Sequence, residues 1–290
     1  MKARHCAAYV LLALMTVSSA AETNNPMPAI RSFDLKTIES LGRRIYEQDA
    51  YASRATDILF ERVGGPERLT REGIAGWVVS EQGTNVVVRF VKAGTASVVP
   101  AYDVMFSTLR HGELSSAEGK RLSTNEVAQY KARQLALKNI PEYCSDRYNA
   151  VVLQNVGADG FLIYALAATT DPNLVLIGGH YRFTVSGDGS RIERTDRLFK
   201  TCLIVDKRDV PAGGETAGLY ASHIVSDTPV ETHVFLSLLN RQPMYIVTKD
   251  GNMWKIDKGA ITALGKADGR DKAASDALEG INPKQSKSQQ

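Results

Sequence analysis

The chain has 290 residues, of which 43% are hydrophobic and 23% are charged, so it can form an ordinary packed core. Its length fits one large domain or two small ones. The formal net charge is +3, and removal of Lys2 and Arg4 with the leader described below leaves 33 basic and 32 acidic residues. A nearly neutral protein has no broad electrostatic attraction for nucleic acid or for an anionic membrane, so neither is an expected partner.

Residues 1–21 have the pattern of a secretory signal peptide. Lys2 and Arg4 give it a positive start, residues 7–17 form a short apolar run, and small residues at 18–21 offer a cleavage site. The apolar run is too short to span a bilayer, which takes about 20 apolar residues. We therefore expect an exported protein, periplasmic or secreted, with no membrane span after leader cleavage.

Two cysteines, Cys144 and Cys202, remain after the leader is removed. In an exported protein an even pair of cysteines predicts a disulfide, whereas two separate buried thiols are the usual state in a cytosolic chain. A thiolate metal site needs further cysteines or a close Cys-x-x-Cys pair, and the sequence has neither. Export favours the disulfide.

The first half of the mature chain, residues 34–112, is predicted to be a helix followed by a β region. Asp34 is placed to cap a helix that continues until Gly64. Two β-branched segments flank a polar turn that contains glycine, which predicts a hairpin over residues 76–91. Residues 98–107 are predicted to form a third strand.

The second half, residues 113–262, is predicted to be a helix followed by an antiparallel meander. Ser123 and Glu126 form a capping box, and the helix that they open stops before Pro141. Over residues 148–205, apolar runs alternate with strong turn signals. This meander is the expected core of the protein.

The remaining segments are assigned from composition and pattern. Further strands are predicted at 219–225, 232–239 and 244–248. Residues 22–33 are polar and contain two prolines, which indicates a flexible lead-in. Residues 263–290 are polar with mixed charge, which is typical of a disordered tail.

The fold class that follows is α+β, with two helices packed on mainly antiparallel β-sheet. The two halves have the same plan, a helix and then a hairpin and a further strand. This similarity indicates either a duplication, with two similar α-β-meander halves, or the common patterning of unrelated α+β segments.

Three histidines, His180, His223 and His233, are the candidate ligands of an open zinc site. Their spacing matches no zinc motif. A simple hairpin between residues 224–226 and 231–233 places His223 and His233 on opposite faces of the sheet, whereas a loop longer or shorter by one residue would bring them opposite each other. The interpretation that we favour is three ordinary sheet histidines, and no catalytic, metal-binding or cofactor-binding residue is assigned.

A basic stretch at the end of the meander has two interpretations. It consists of Arg191, Arg194, Arg197 and Lys200. Glu193 and Asp196 lie between these cations, which favours a solvated face of mixed charge over a site for a small anionic partner.

The function that we favour is a non-catalytic binding or accessory protein of the cell envelope, without a cofactor. Its partner is expected to be a protein or a small ligand in the envelope or the exterior. The expected contact surfaces are a sheet face, an exposed edge strand, or the loops at 207–218 and 226–231. The first alternative is an exported hydrolase, metal-dependent or not, that uses His180, His223 and His233. The second is a structural envelope component that assembles through an edge strand.

Overall fold

A computed structural model describes residues 28–95, 97–209 and 218–267. These residues form an α+β fold with mainly antiparallel sheets, so the predicted fold class is confirmed. The predicted signal peptide, residues 1–21, lies outside them. The helices in this part of the chain are α1 (Leu35–Val63), α2 (Pro66–Arg71), α3 (Thr124–Lys138) and α4 (Glu231–Asn240).

The strands of the described residues pair into three four-stranded sheets and one two-stranded ribbon. In chain order they are β1 (Ile74–Gln82), β2 (Asn85–Ala93), β3 (Val98–Thr108), β4 (His111–Ser116), β5 (Arg147–Gln154), β6 (Phe161–Ala168), β7 (Leu174–Leu176), β8 (Tyr181–Val185), β9 (Ile192–Arg197), β10 (Ile204–Asp206), β11 (Leu219–His223), β12 (Met244–Thr248), β13 (Asn252–Asp257) and β14 (Ala260–Lys266). The first sheet has the order β1-β2-β3-β4, the second β5-β6-β8-β9 and the third β11-β12-β13-β14, while β7 pairs with β10. The β11–β12 pair is parallel and the other pairs are antiparallel.

Helix α1 begins and ends where the sequence predicts. The Asp34 carboxylate accepts a hydrogen bond from the backbone N–H of Thr37 at 2.9 Å, and Gly64 ends the helix in the left-handed region at φ 99°. The two ends of α1 pack on different sheets. The N-terminal half contributes Ile38, Leu41 and Ile45 to the core at the second and third sheets. The C-terminal half packs on the first sheet through Ala55, Leu59 and Val63.

The second sheet lies at the centre of the molecule and corresponds to the predicted meander. Its strand β6 is buried on both faces. Side chains on one face pack in the core shared with α1 and α4; they are Leu162, Tyr164 and Leu166. Side chains on the other face pack against α3; they are Phe161, Ile163 and Ala165. This period of two follows from the alternating direction of side chains along a strand.

The predicted strand at 232–239 is wrong, because these residues lie in α4. Strands β11 and β12 are parallel, so the chain needs a crossover between them, and α4 supplies it. The apolar residues that suggested a strand are instead buried against α1, and a short apolar run does not distinguish the two structures. The two helices cross closely at Gly42, where a Cβ atom would lie 2.4 Å from the Cβ of Val234.

The ends of the described chain also differ from the predictions. The tail predicted from residue 263 begins too early, because β14 continues to Lys266 and pairs with β13. The rest of that tail, residues 268–290, lies outside the described residues. Each of the first two sheets is preceded by a long helix, but the duplication stays a prediction. No helix in the described part of the chain combines the length and the apolar character needed to cross a membrane.

Candidate ligand-binding cleft

The three candidate histidines are buried and hydrogen-bonded within the fold. His180 accepts a hydrogen bond at Nδ1 from the backbone N–H of Ala167 at 3.1 Å, and its Nε2 donates to the carbonyl of Leu176 at 2.9 Å. In α4, His233 accepts at Nδ1 from the backbone N–H of Val230 at 3.1 Å. These bonds fix the imidazoles as parts of the backbone architecture.

The prediction that His223 and His233 lie on opposite faces of a sheet is wrong. Their rings are perpendicular with centroids 4.6 Å apart, because His223 ends β11 and His233 lies in the first turn of the following helix. Burial lowers the pKa of His180 and of His223 to about 4 and lowers the pKa of His233 well below 6.5. The three imidazoles are therefore neutral at pH 7.

Proximity of the histidines does not produce a metal centre here. Within residues 28–95, 97–209 and 218–267, no group of three or more histidine, cysteine, aspartate or glutamate side chains is placed to hold a metal ion. The Nε2 atom of His223 lies 2.7 Å from the Oγ of Ser226, which in turn donates to the carbonyl of Thr228 at 2.7 Å. The loop at 226–231 is thus held against the core.

Cys144 and Cys202 lie at disulfide distance, with their Cα atoms 5.3 Å apart. They join the segment after α3 to the segment after β9. Gly179 makes room for this approach, since a Cβ atom there would lie 2.5 Å from the Cβ of Cys144. Gly179 also has φ 84°, a conformation that favours glycine.

A fully paired buried arginine, Arg182, lies in the second sheet. It donates to Asp196 from Nη2 at 2.7 Å and to Glu231 from Nη1 at 2.5 Å. The hydroxyl of Tyr164 donates to the same Glu231 oxygen at 3.2 Å. Burial alone lowers the pKa of Arg182, but the adjacent carboxylates outweigh it and raise the pKa above its ordinary value. This cluster joins the second sheet to α4.

The end of the predicted flexible lead-in covers this cluster. Arg182 and Arg194 donate to the carbonyls of Arg31 and Ala29, and the backbone N–H of Arg31 donates to Asp196 at 3.3 Å. These hydrogen bonds place Ala29 and Arg31 against the second sheet, and the flexibility of residues 22–33 stays a prediction.

The basic stretch of the meander is largely neutralised. Arg191 pairs with Glu193 at 2.9 Å and Arg197 pairs with Glu142 at 2.7 Å. Arg194 contacts Asp196 at 2.7 Å. These pairs favour the interpretation as a face of mixed charge.

A cleft separates the first sheet from the second, and we call it the inter-sheet cleft. Four elements form most of its wall: α1, α3 and the edge strands β1 and β5. Its outer part has a volume of about 250 Å³, and a narrow inner part adds about 20 Å³. The two parts adjoin, since they share Gln48, Val79, Gln129 and Val152 in their walls.

Arg133 of α3 lines the inner part of the cleft and is 7% exposed. Its guanidinium stacks over the Trp77 ring at 4.3 Å from the centroid. The Nε–H has no hydrogen-bond partner, and no carboxylate of the described residues lies within ion-pair distance of this side chain. Burial lowers the pKa of Arg133 to about 10, so it is a cation at neutral pH.

Two further polar side chains of the cleft are incompletely satisfied. The buried Oγ of Ser80, in the outer part, has no hydrogen-bond partner among the described residues. Asp49 of α1 lines the inner part, and burial raises its pKa to about 6. The one hydrogen bond that opposes this shift comes from Asn149 at 3.4 Å and is long. The cleft is therefore polar but not satisfied by the protein itself.

A second cleft, of about 270 Å³, lies between α4 and the connection from β6 to β7. Apolar side chains form most of its wall; they include Leu166, Leu174, Phe235 and Leu239. None of the buried side-chain polar atoms of the described residues that lack a hydrogen-bond partner belongs to a residue of its wall. The inter-sheet cleft is the better candidate site on these grounds.

The residues of this cleft were not predicted from the sequence. One signal was available in α3, where Ala128, Ala132 and Ala136 form a buried face. Gln129 and Arg133 are also four residues apart, and each directly follows one of these alanines, so they lie on the same side of the helix and also point inwards. A charged residue beside an alanine face indicates a buried cation, which seldom occurs without a partner.

The chain matches no protein-family model, no curated protein and no solved structure.

Proposed function

We propose that the protein is an exported, non-catalytic binding or accessory protein of the cell envelope, and that it holds a small ligand in the inter-sheet cleft. The observation that carries this proposal is the cleft itself, a cavity of about 250 Å³ with a narrow inner part, where two buried polar atoms, the Oγ of Ser80 and the Nε of Arg133, lack a hydrogen-bond partner among the described residues. In native structures such atoms call for an explanation, and a bound ligand supplies one.

Export is supported by the leader pattern of residues 1–21 and by the cysteine pair. Cys144 and Cys202 lie at disulfide distance, and disulfides persist mainly in oxidising compartments. The mature protein is expected to begin near Ala21 or Glu22.

Ligand binding is supported by the position and lining of the cleft. Small-molecule sites occur preferentially where structural units meet, and this cleft lies between two sheets and two helices. Its outer wall carries hydrogen-bonding side chains from several elements; they include Gln48, Tyr51, Asn125, Gln129 and Gln154. Neither histidine nor cysteine is among its described lining residues. Such a wall suits recognition of a polar molecule.

The experiment pairs a variant that fills the cleft with a matched surface variant. Ser80→Phe places an aromatic ring in the cleft, and Ser115→Phe makes the same change at an exposed position of β4. Each protein is incubated with the small-molecule extract of the host envelope and examined by native mass spectrometry. We expect one adduct mass on the wild type and on Ser115→Phe, and none on Ser80→Phe.

Two results would contradict the proposal. One is an adduct that Ser80→Phe retains, since the ligand would then bind outside the cleft. The other concerns export: protein recovered from the native host with Met1 intact and with two free thiols at Cys144 and Cys202.

A further inference from the structure

We infer that the ligand carries one carboxylate and that Arg133 is its counter-ion in the inner part of the cleft. This inference rests on the proposed function, because it names the chemical class of the ligand for that same cleft.

Arg133 is a cation that the fold has largely removed from water without placing a carboxylate of the described residues beside it. It is 7% exposed, its Nε–H has no partner, and the described residues place no carboxylate within ion-pair distance. Buried arginines are otherwise paired, because a desolvated charge without a partner is unfavourable. A bound anion would supply the missing charge.

The stacking on Trp77 leaves the guanidinium suited to a planar anion. The central carbon of the guanidinium lies over the Trp77 ring at 4.3 Å from its centroid, and this contact occupies none of the N–H groups with a hydrogen-bond acceptor. Gly76 provides the space beside it, since a Cβ atom there would lie 3.3 Å from Nη1 of Arg133. A carboxylate matches the geometry of two parallel N–H donors.

The charges of the wall favour a single negative charge over two. Helix α1 contributes Arg44, Glu47 and Asp49, strand β1 contributes Glu81 and α3 contributes Arg133, while the part of β5 that lines the cleft has no charged side chain. Three carboxylates thus face two cations before any ligand binds. A dianion such as phosphate would add repulsion that one guanidinium does not offset.

The experiment uses Trp77 as a local reporter. The sequence has two tryptophans, so Trp254→Phe leaves Trp77 as the sole source of tryptophan fluorescence. In that background the protein is titrated at constant ionic strength with four probes: benzoate, glucuronate, benzamide and inorganic phosphate. Benzamide has the shape of benzoate without its charge, and phosphate tests the dianion.

We expect saturable fluorescence changes with a carboxylate probe and apparent affinities at least about tenfold weaker for benzamide and for phosphate. Arg133→Met should weaken carboxylate binding by at least about tenfold, and Arg133→Lys should weaken it less, since it keeps the charge but loses the planar fork. Lys131→Met removes a charge from the exposed face of the same helix and should leave binding unchanged.

Several results would overturn the inference. They are the absence of a saturable change with both carboxylates, equal affinity for benzamide and benzoate, tighter binding of phosphate, or carboxylate binding unaffected by Arg133→Met. If Arg133→Met does not fold, the comparison of Arg133→Lys with Lys131→Met decides the matter. A site that binds neutral probes more tightly would contradict the assignment of a carboxylate ligand but would leave the proposed binding function in place. The Ser80→Phe experiment tests that binding function by itself.

Discussion

Arg182 and Arg133 are both almost excluded from solvent, yet their surroundings are opposite. Arg182 contacts Asp196 at 2.7 Å and Glu231 at 2.5 Å, and these carboxylates raise its pKa. Arg133 stacks on Trp77 and has no ion-pair partner in the described residues, so burial lowers its pKa to about 10. The fold neutralises one buried cation and leaves the other available.

A third buried arginine has the same paired arrangement as Arg182. Arg89 contacts Asp103 at 2.7 Å and Glu126 at 2.9 Å. In both paired cases the aspartate lies directly across from the arginine on the neighbouring strand, and the glutamate comes from the first turn of a helix. These pairs join a sheet to a helix, whereas Arg133 joins nothing by an ion pair. Arg182 and Arg89 are therefore structural, and the contrast supports the proposal that Arg133 serves a ligand.

The largest expected effect is the loss of stability in Arg182→Met. This change leaves the buried carboxylate of Glu231 without its cation and leaves Asp196 with Arg194 alone, so the free energy of unfolding should fall by about 3–5 kcal/mol. Urea unfolding followed by circular dichroism measures it.

The matched control for that variant is Arg191→Met, which removes an exposed ion pair with Glu193. Exposed pairs contribute about 1 kcal/mol or less. If Arg182→Met were no more destabilising than Arg191→Met, the paired cluster would not have the structural role assigned to it.

The histidines beside the Arg182 cluster should make stability depend on pH. Burial lowers the pKa of His223 from 6.5 to about 4, so the unfolded chain binds more protons between these pH values. The contribution of neutral His223 to the free energy of unfolding is therefore fully present above pH 6.5 and is lost as the pH falls towards 4. Between pH 7 and pH 5 it amounts to about 2 kcal/mol.

His223→Phe tests this dependence. The loss of stability between pH 7 and pH 5 should be smaller in this variant than in the wild type by about 2 kcal/mol. His111→Phe, at the exposed first position of β4, serves as the control and should keep the wild-type dependence. Equal pH profiles for all three proteins would show that His223 is not desolvated as the structure indicates.

The helix caps and the strands of the second sheet could be predicted, because residues close together in the sequence determine them. The Asp34 cap, the capping box of Ser123 and Glu126, and the alternating pattern of the second sheet are all present. Helix α4 was not predicted, because its apolar residues fit a strand equally well and only the parallel pairing of β11 with β12 requires a helix. The error about His223 and His233 follows from that one.

The inter-sheet cleft was not predictable in the same way. Its wall brings together side chains that are far apart in the chain, such as Gln48, Ser80, Gln129 and Val152. No spacing rule connects them, and only the packing of α1 across both sheets places them together. Arg133 alone left a trace in the sequence, as a charged residue beside a buried alanine face.

A smaller effect on the free energy of unfolding is expected at Asp49, which lines the inter-sheet cleft together with Arg133. Burial raises its pKa from 3.8 to about 6, so stability is highest where the carboxyl is protonated and is lost as the pH rises through 6. Discounted for its partial contact with solvent, the penalty at pH 7 is about 1 kcal/mol. Asp49→Asn should therefore raise the free energy of unfolding by about that amount at pH 7.

The control is Asp57→Asn, at an exposed position of the same helix, which should change stability by less than about 0.5 kcal/mol. Thermal unfolding at pH 7 and pH 5 distinguishes the two variants. A gain in Asp49→Asn at pH 5 equal to that at pH 7 would exclude ionisation as its cause.

The most direct test of the central claim is the stability of Arg133→Met in the absence of ligand. Methionine keeps the apolar contact with Trp77 and removes a desolvated charge, so the loss of the cation–π contact and the relief of desolvation should nearly cancel. We predict that urea unfolding at pH 7 gives a free energy within about 1 kcal/mol of the wild type. A loss of more than about 2 kcal/mol would show that Arg133 stabilises the fold as Arg182 does, and would contradict its assignment to a ligand.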